Sequence, residues 1–391
     1  MRTPTTSRRL KILHVITGLS RGGAETMLYK LIAEHNRYGD FTHSVIALGG
    51  ENVFDFDNLG VPVTLARLAS PLRAPGAIYR LRQQAKELQP DIVHGWMYHA
   101  NAVACLIAPK ETPVLAGIRC TLFASQEKAL TRASIWLGPS LIRARRGRVI
   151  YCSERSQHQH EAVGYPPEGA LIIPNGFDCE RFKPDGDAYG RLCAELGLVA
   201  GVRLIGHAAR YHPMKNHESL IRAFAKLGAE HRDVHLVLAG RDITPGNGHL
   251  SAMINALFLS GRVHMLGERA DIDRLFPAFE VYVSSSAWGE AFPNVLGEAM
   301  ACGVPCIATD VGDSEMIVGD AGKIVPPADD QALARAMEHF VSLSLDERRR
   351  LGQRARARIC RDFGLTGTAA IYARLYASLA QPFAQQDNCF T

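Results

Sequence analysis

Apolar and polar positions along this chain alternate between short runs of β-formers and longer segments with apolar residues at helical spacing. Leu10 to Ile16 is strand-like. It leads through a Gly-rich turn, Thr17 to Gly23, into a helix from Ala24 to His35. Strands follow at Thr42 to Leu48 and Val61 to Leu65, then a helix from Ala74 to Leu88, a strand from Asp91 to His94 and a helix through His99 to Ala108. Pro113 to Ile118, a helical tract from about Gln126 to Arg145, and Val149 to Ser153 complete this series. The pattern pauses at the Pro174-Asn175-Gly176 turn, and the polar stretch to Asp187 reads as a linker.

A second series starts at Arg203. Strands are expected at Leu204 to Ala209, Val234 to Ala239, Val263 to Leu266 and from Val281, with helices at His217 to Leu227, His249 to Leu259 and Ile272 to Phe279. Strands and helices joined by short connections indicate doubly wound, largely parallel sheets, which bind ligands at the carboxyl ends of their strands. The expectation is two α/β domains facing across a cleft, residues 1–175 and 188–362. A tail at 363–380, with Ile371, Leu375 and Leu379 at helical spacing, is expected to return and complete the first.

Composition changes this picture little. A 47% hydrophobic and 21% charged chain of 391 residues is an ordinary globular protein with material for two cores, and disorder is not expected. A net charge of +5 argues neither way on nucleic acid, and no nucleic-acid partner is expected. Nine cysteines, an odd number without a CxxC pair, fit a reducing cytoplasm. The apolar run from Ile12 to Ile16 behind the basic lead is too short for a signal peptide, and no run reaches the roughly 18 apolar residues of a membrane span.

The stretch Val281 to Asp313 carries the most chemistry. It reads as strand, Ser/Gly loop, helix from Asn294 to Ala301, and strand from Pro305 to Thr309. Pro293 suits a first helical position and Gly303 the helix exit. The N–H groups of Phe292, Asn294 and Val295, on either side of Pro293, stand where a helix opens, so they could hold a diphosphate. Glu290 lies in the loop and Glu298 about one turn into the helix, where a carboxylate could accept from paired sugar hydroxyls. The alternative is that both are merely solvated. Arg210 and Lys215, after the first strand of the second half, match a diphosphate, although either could be a surface ion-pair partner.

Other stretches stay open between roles. The Gly22-Gly23 turn is a place for a phosphate or simply a tight connection, and it lacks both GxGxxG and a P-loop ending. Of His94 and His99, at least one is expected to face the crevice, although a structural role is the commoner one. The tract from Arg132 to Arg148 interleaves five arginines with Ile135, Trp136, Leu137, Leu141 and Ile142. It reads as an interfacial segment for an anionic membrane or as a core helix with a basic face. Asp271-Ile272-Asp273 and Asp55-Phe56-Asp57 spell a metal-type pair, but Asp271 reads better as a helix cap. Zinc spacing is absent, and no metal or cofactor is expected.

These motifs together resemble the group 1 retaining glycosyltransferases of GT-B architecture. The resemblance rests on Glu290-x7-Glu298 within EAFPNVLGEAMACGVPCIATDVGD, on GGAE at Gly22 to Glu25, on IPNGFD at Ile173 to Asp178, and on the Arg210/Lys215 pair. It implies that a nucleotide sugar is the donor, with Glu290 at the sugar hydroxyls and Glu298 at the ribose. Arg210, Lys215 and the 292–295 amides would hold the diphosphate, with Gly22 and Gly23 at the phosphate end. One departure stands out: where many members carry His-x-His after the fourth strand, this chain has His94-Gly95-Trp96, and His99 is the nearest substitute. The resemblance further implies transfer with retention, without a metal, onto a glycan or lipid-linked acceptor in surface polysaccharide or glycolipid synthesis. A nucleotide-sugar epimerase and a catalytically silent partner module of a polysaccharide assembly complex are the alternatives.

Overall fold

The computed structural model describes residues 8–20, 22–67, 74–122, 128–199, 201–227 and 231–380. The chain divides into two compact units, residues 1–176 with 365–391, and residues 177–364. Residues 126 and 127, at the expected start of the long helical tract, and the basic lead at 1–7 lie outside the described residues.

The first unit runs β1 (Leu10–Ile16), α1 (Gly23–Tyr38), β2 (Phe41–Ala47), β3 (Val63–Leu65), α2 (Ala74–Leu88), β4 (Ile92–Trp96) and α3 (Tyr98–Ile107). It continues with β5 (Val114–Ile118), α4 (Ala129–Ala144), β6 (Arg148–Tyr151), α5 (Glu154–Ala162) and β7 (Leu171–Ile172). Its strands form one parallel sheet in the order β3-β2-β1-β4-β5-β6-β7. Strands β4 and β5 are buried at every position, as a parallel sheet covered on both faces requires.

The second unit runs α6 (Ala188–Leu196), β8 (Arg203–Ala208), α7 (His217–Ala225), β9 (Val234–Ala239), α8 (Gly248–Ala256), β10 (Val263–Met265), α9 (Ile272–Leu275) and β11 (Val281–Ser284). Then come α10 (Asn294–Ala301), β12 (Cys306–Thr309), α11 (Ser314–Val318), β13 (Gly322–Val325), α12 (Asp330–Ser342) and α13 (Leu345–Asp362). The sheet is again parallel, in the order β10-β9-β8-β11-β12-β13.

Both sheets reverse direction once, between β1 and β4 in the first unit and between β8 and β11 in the second. At such a reversal the loops leaving the two strands diverge to opposite faces and open a crevice at the carboxyl ends. The loops in question are Thr17 to Gly22 with Met97, and Ala209 to Asn216 with Ser285 to Pro293.

The last helix, α14 (Leu365–Ala380), belongs to the first unit and packs on α1. Its inward face is Thr368, Ala369, Tyr372, Leu375, Tyr376 and Leu379, whereas Ile371, expected in that stripe, is exposed. Beneath it lies a buried polar network. Trp96 donates to His14 Nδ1 (3.2 Å), and His14 Nε2 meets His43 Nδ1 (3.0 Å). His35 donates to the Ala369 carbonyl (2.9 Å), and His94 Nδ1 bonds the Tyr376 hydroxyl (2.9 Å). Burial holds His43 and His94 as neutral rings, each pushed down to about 3.

The expected linker corrects itself on packing grounds. Phe177 and Phe182 are buried in the second unit, and Arg356 of α13 donates to the carbonyls of Cys179 and Phe182. Residues 177–182 are therefore an anchored segment, because apolar side chains within a polar run follow the nearest core rather than water.

Candidate functional site

The crevice loops of the second unit are stitched to one another. After β8 the chain passes Arg210 and makes a 3-10 turn at Pro213–Lys215, where the His212 ring accepts from the Met214 N–H (3.2 Å). Asn216 takes a left-handed conformation and caps α7 through the Ser219 N–H (3.4 Å). From the other loop, Ser285 Oγ donates to the Lys215 carbonyl (2.9 Å), and the Ala287 N–H donates to the Met214 carbonyl (2.8 Å). These bonds set the Lys215 side chain against the loop that follows β11.

Lys215 and Glu290 meet there. The Lys215 ammonium pairs with Glu290 Oε1, and Ser286 Oγ donates to the same oxygen (2.8 Å). The two side chains are only 17% and 13% exposed, so the pair is screened less than a surface one. Ser286 is itself buried, its carbonyl accepting from Thr309 Oγ1 of β12 (2.6 Å). The sequence reading did not single out Ser285, Ser286 or Thr309. Their available signal was the three-serine run that closes β11 on the crevice side.

Two glycines shape this loop. Gly289 sits at φ +80°, and an added Cβ would lie 2.4 Å from Met214 Sδ. Gly312 sits at φ +61°, where a Cβ would lie 2.4 Å from the Glu290 carbonyl oxygen. The chain before α11 thus passes against the Glu290 backbone, and the Asp313 N–H donates to the Ala291 carbonyl (2.8 Å).

Helix α10 starts as expected at Asn294, with Pro293 as the last non-helical residue rather than the first helical one, and no side chain of Pro293 caps it. Phe292 is buried, its ring 6.1 Å from that of Phe177 and 5.4 Å from that of Phe363. This fixes the entry to α10 and leaves Phe292 only its backbone to offer a ligand. Asn294 and Val295 are half-buried in the first turn, and Glu298 is half-buried one turn in. Burial first, then the Cys306, Glu290 and Glu298 charges, raise the Tyr282 hydroxyl well above its ordinary range, so both carboxylates act on one region beneath the crevice.

The opposite charge gathers on the β8 side. Burial, then the Arg210 and Lys215 charges, push the His212 pKa down. Burial also lowers His207, which bonds the Val283 carbonyl (2.8 Å), and brings His217 to about 4. The rings around the cations are thus neutral and add no positive charge. Arg210 is exposed, Lys215 half-buried. The structure therefore brings together Arg210, Lys215, Glu290, Glu298 and the 292–295 backbone within one unit at its topological reversal.

In the first unit, Gly22 occupies the cap position of α1 in extended backbone, with no side-chain cap. A Cβ on Gly22 would fall 2.3 Å from Glu25 Oε2, which puts the Glu25 carboxylate over the mouth of the helix. Burial raises the Glu25 pKa. An anion at Gly22 and Gly23 would have to meet or displace that carboxylate. His99 is half-buried in the first turn of α3, at the reversal beside β4. His94 and Trp96 are fully buried in the network under α14, so neither presents its ring to the crevice.

Arg119, which the sequence reading passed over, follows β5 at its carboxyl end. It donates to the Tyr372 hydroxyl (3.0 Å) and to Asn175 Oδ1, and lies over the Trp96 ring at 5.4 Å. Asp271 corrects an expectation. It precedes α9 but caps nothing with its side chain, because Arg269 holds both its oxygens at 2.8 Å and outcompetes the helix N–H groups. Asp273 pairs with Arg181 (2.9 Å). Among the described residues no group of three or more His, Cys, Asp or Glu is placed to hold a metal.

Comparison with known proteins follows these boundaries. The family described as "Glycosyl transferases group 1" matches residues 194–358, and "Glycosyltransferase Family 4" matches residues 21–181. A Bacillus subtilis (strain 168) protein named glycosyltransferase EpsF is 29% identical over 328 residues, 78% of this chain and 80% of that protein. The lipopolysaccharide core biosynthesis mannosyltransferase LpsB of Rhizobium meliloti is 29% identical over 218 residues, 53% of this chain and 60% of LpsB. The crystal structure of Anabaena HepE with UDP superimposes with a TM-score of 0.82 at 25% identity, covering 94% of this chain and 100% of HepE. HepE has also been solved with UDP-glucose.

Proposed function

This chain belongs to the group 1 glycosyltransferases and has their GT-B architecture, and on that premise we propose that it moves a sugar from a nucleoside-diphosphate sugar onto a glycan or lipid-linked acceptor with retention of configuration. The observation that carries the reading is the Lys215–Glu290–Ser286 contact beside the start of α10. It puts a cation, a carboxylate and a helix N-terminus at one strand-end crevice, the three groups a diphosphate joined to a sugar would use. HepE, solved with UDP and with UDP-glucose, supports a uridine nucleotide as the first donor to try. LpsB, named for lipopolysaccharide core biosynthesis, supports an acceptor in lipopolysaccharide or related surface-polysaccharide synthesis.

In this mechanism Arg210, Lys215 and the α10 amides neutralise charge as it develops on the departing diphosphate, which is stronger than the same contact in water because the groups are already in place. Glu290 leaves Lys215 for the donor sugar's hydroxyls, and Glu298 accepts from the ribose. The acceptor hydroxyl attacks on the leaving-group side, and its proton passes to the departing diphosphate oxygen. Neither carboxylate has to take up that proton. For the first unit we propose Gly22 and Gly23 as phosphate-binding backbone, which needs the Glu25 carboxylate to turn away, and His99 as the histidine that takes part in transfer. No divalent ion enters this scheme; the Asp271 and Asp273 carboxylates are engaged by arginines.

The test is to incubate the purified protein with a panel of nucleotide sugars, with and without extracted lipid acceptors, and to follow nucleoside diphosphate release and the anomeric proton of the product. Acceptor-dependent release with a retained anomer, unaffected by EDTA, is expected. Isomerised donor without release would show an epimerase, and no turnover with any donor would favour a silent partner module. Loss of activity in EDTA restored by magnesium would overturn the metal-free scheme.

A further inference from the structure

Helix α4 carries a face that the glycosyl-transfer reading does not use. Ile135, Gly138, Pro139 and Ile142 turn inward, where α4 packs on α3 and Gly138 approaches the Tyr165 ring. The opposite side exposes Leu130 at 63%, Trp136 at 60% and Leu137 at 62% of their surfaces. Three large apolar side chains left in water on one 16-residue helix are unusual for a globular surface, where such residues are scattered singly.

Charge says what kind of surface would cover them. Arg132 and Arg143 are exposed on the same side, with Lys128 and Arg146 exposed just beyond the two ends. No Asp or Glu occurs from Lys128 through Ser153. Arg145 is different: its guanidinium donates to the Pro109 (2.5 Å) and Thr112 (3.3 Å) carbonyls, so it serves the fold. The basic residues that flank the apolar patch are thus the exposed ones, and all have one sign. At about 1.5 Å per residue the helix is about 24 Å long, enough to lie in the plane of a bilayer's headgroups.

We propose that the exposed face of α4 docks the protein on an anionic phospholipid surface. Trp136, Leu137 and Leu130 enter the boundary between headgroups and acyl chains, and Arg132 and Arg143 lie against lipid phosphates. A soluble acidic protein would also match the exposed arginines and Trp136, and the vesicle assay below separates it from a lipid surface. A second copy of this chain would oppose arginines to arginines. The proposal is independent of the donor chemistry and survives if that chemistry is reassigned.

Flotation of the full chain tests it, using vesicles of phosphatidylcholine alone and vesicles in which about a third of the lipid is phosphatidylglycerol. Binding to the anionic vesicles only, weakening as salt is raised, is expected. W136S/L137S should lower that binding by about tenfold or more, and R132E/R143E should abolish its salt dependence. Circular dichroism and nucleoside diphosphate affinity should stay unchanged in both. Absence of binding by the unaltered chain at low salt overturns the proposal, as does undiminished binding by W136S/L137S. A concentration-dependent dimer that W136S/L137S dissociates, without vesicle binding, would assign the face to a second copy instead.

Discussion

Replacing Glu290 by glutamine should separate binding from transfer. The Glu290 carboxylate holds Lys215 in this structure, so a diphosphate that takes Lys215 must draw the ammonium away from Glu290. Glu290→Gln removes that competition and also removes a negative charge beside the arriving diphosphate. Two unit charges about 6 Å apart interact by about 3 kcal/mol at an effective dielectric of about 20. Partial exposure and the remaining solvent reduce this to about 1 kcal/mol, or about fivefold in affinity. Calorimetric titration with UDP should therefore show Glu290→Gln binding about fivefold more tightly than the unaltered chain, while transfer falls by about a hundredfold or more for lack of the sugar contact. Lys215→Met should weaken UDP by about tenfold, the loss of one charge-assisted hydrogen bond. In the double variant, a gain that vanishes with Lys215 comes from the released ammonium, and a gain that persists comes from relieved repulsion. Weaker UDP binding by Glu290→Gln, or full transfer activity in it, refutes the reasoning.

Glu298→Ala should weaken donor affinity by about tenfold or more, with a smaller effect on the chemical step; equal affinity by calorimetry would remove Glu298 from the ribose. Gly289→Ala forces a left-handed backbone on alanine at about 1 to 2 kcal/mol and pushes on Met214. Transfer should fall while the circular dichroism spectrum holds, and unchanged kcat would mean that this loop does not position Glu290. Acid should destabilise the fold through His43 and His94, whose folded values lie near 3, below the ordinary 6.5. Because these values are lowered, the unfolded chain takes up protons first: stability is full above pH 6.5 and is lost as pH falls toward the folded values. At about 1.4 kcal/mol per unit and group, lowering pH from 6.5 to 5 removes about 4 kcal/mol from the two together. Urea midpoints that stay level between pH 7 and pH 5 would contradict neutral burial of both rings.

The sequence and the structure agree where the residue pattern itself had one solution. β1, β9 and α10 have the bounds read from apolar runs and from the Pro293/Gly303 punctuation, because a strand with a buried apolar run and a helix bounded by a proline and a left-handed glycine leave little freedom. Helices α12 and α13 were not read from the chain. α13 is so rich in arginine that its buried stripe, Gly352, Ala355 and Ile359, consists mostly of small residues that hydrophobic periodicity undercounts. In α14 two of the packing residues are tyrosines whose hydroxyls meet His94 and Arg119, so aliphatic spacing finds Leu375 and Leu379 but puts Ile371 on the wrong side. The linker reading failed for the same reason, since two phenylalanines in a polar run outweigh their neighbours once a core is near.

The site divides along the same line. The sequence named Arg210, Lys215, Glu290 and Glu298 as donor-binding candidates, a role that stays a proposal, and the reversal between β8 and β11 explains why the loops of Lys215 and Glu290, 75 residues apart, converge. What was not legible is that Lys215 and Glu290 pair with each other, and that Ser285, Ser286 and Thr309 hold them in register. Spacing specifies which groups reach a crevice. Their pairing depends on side-chain hydroxyls whose partners are backbone carbonyls from other strands. Glu25 makes the same point in the first unit, because the glycine turn suggests an open anion site and the residue two places on closes it. Both crevices thus have a carboxylate where the proposed donor needs room for phosphate or a free lysine. On the proposed reading Glu290→Gln should tighten a bare nucleoside diphosphate, and Glu25→Gln should do the same if the Gly22-Gly23 turn meets the phosphate end. A Glu25→Gln variant whose UDP affinity is unchanged would remove Gly22 and Gly23 from the phosphate end and leave the donor to the second unit alone.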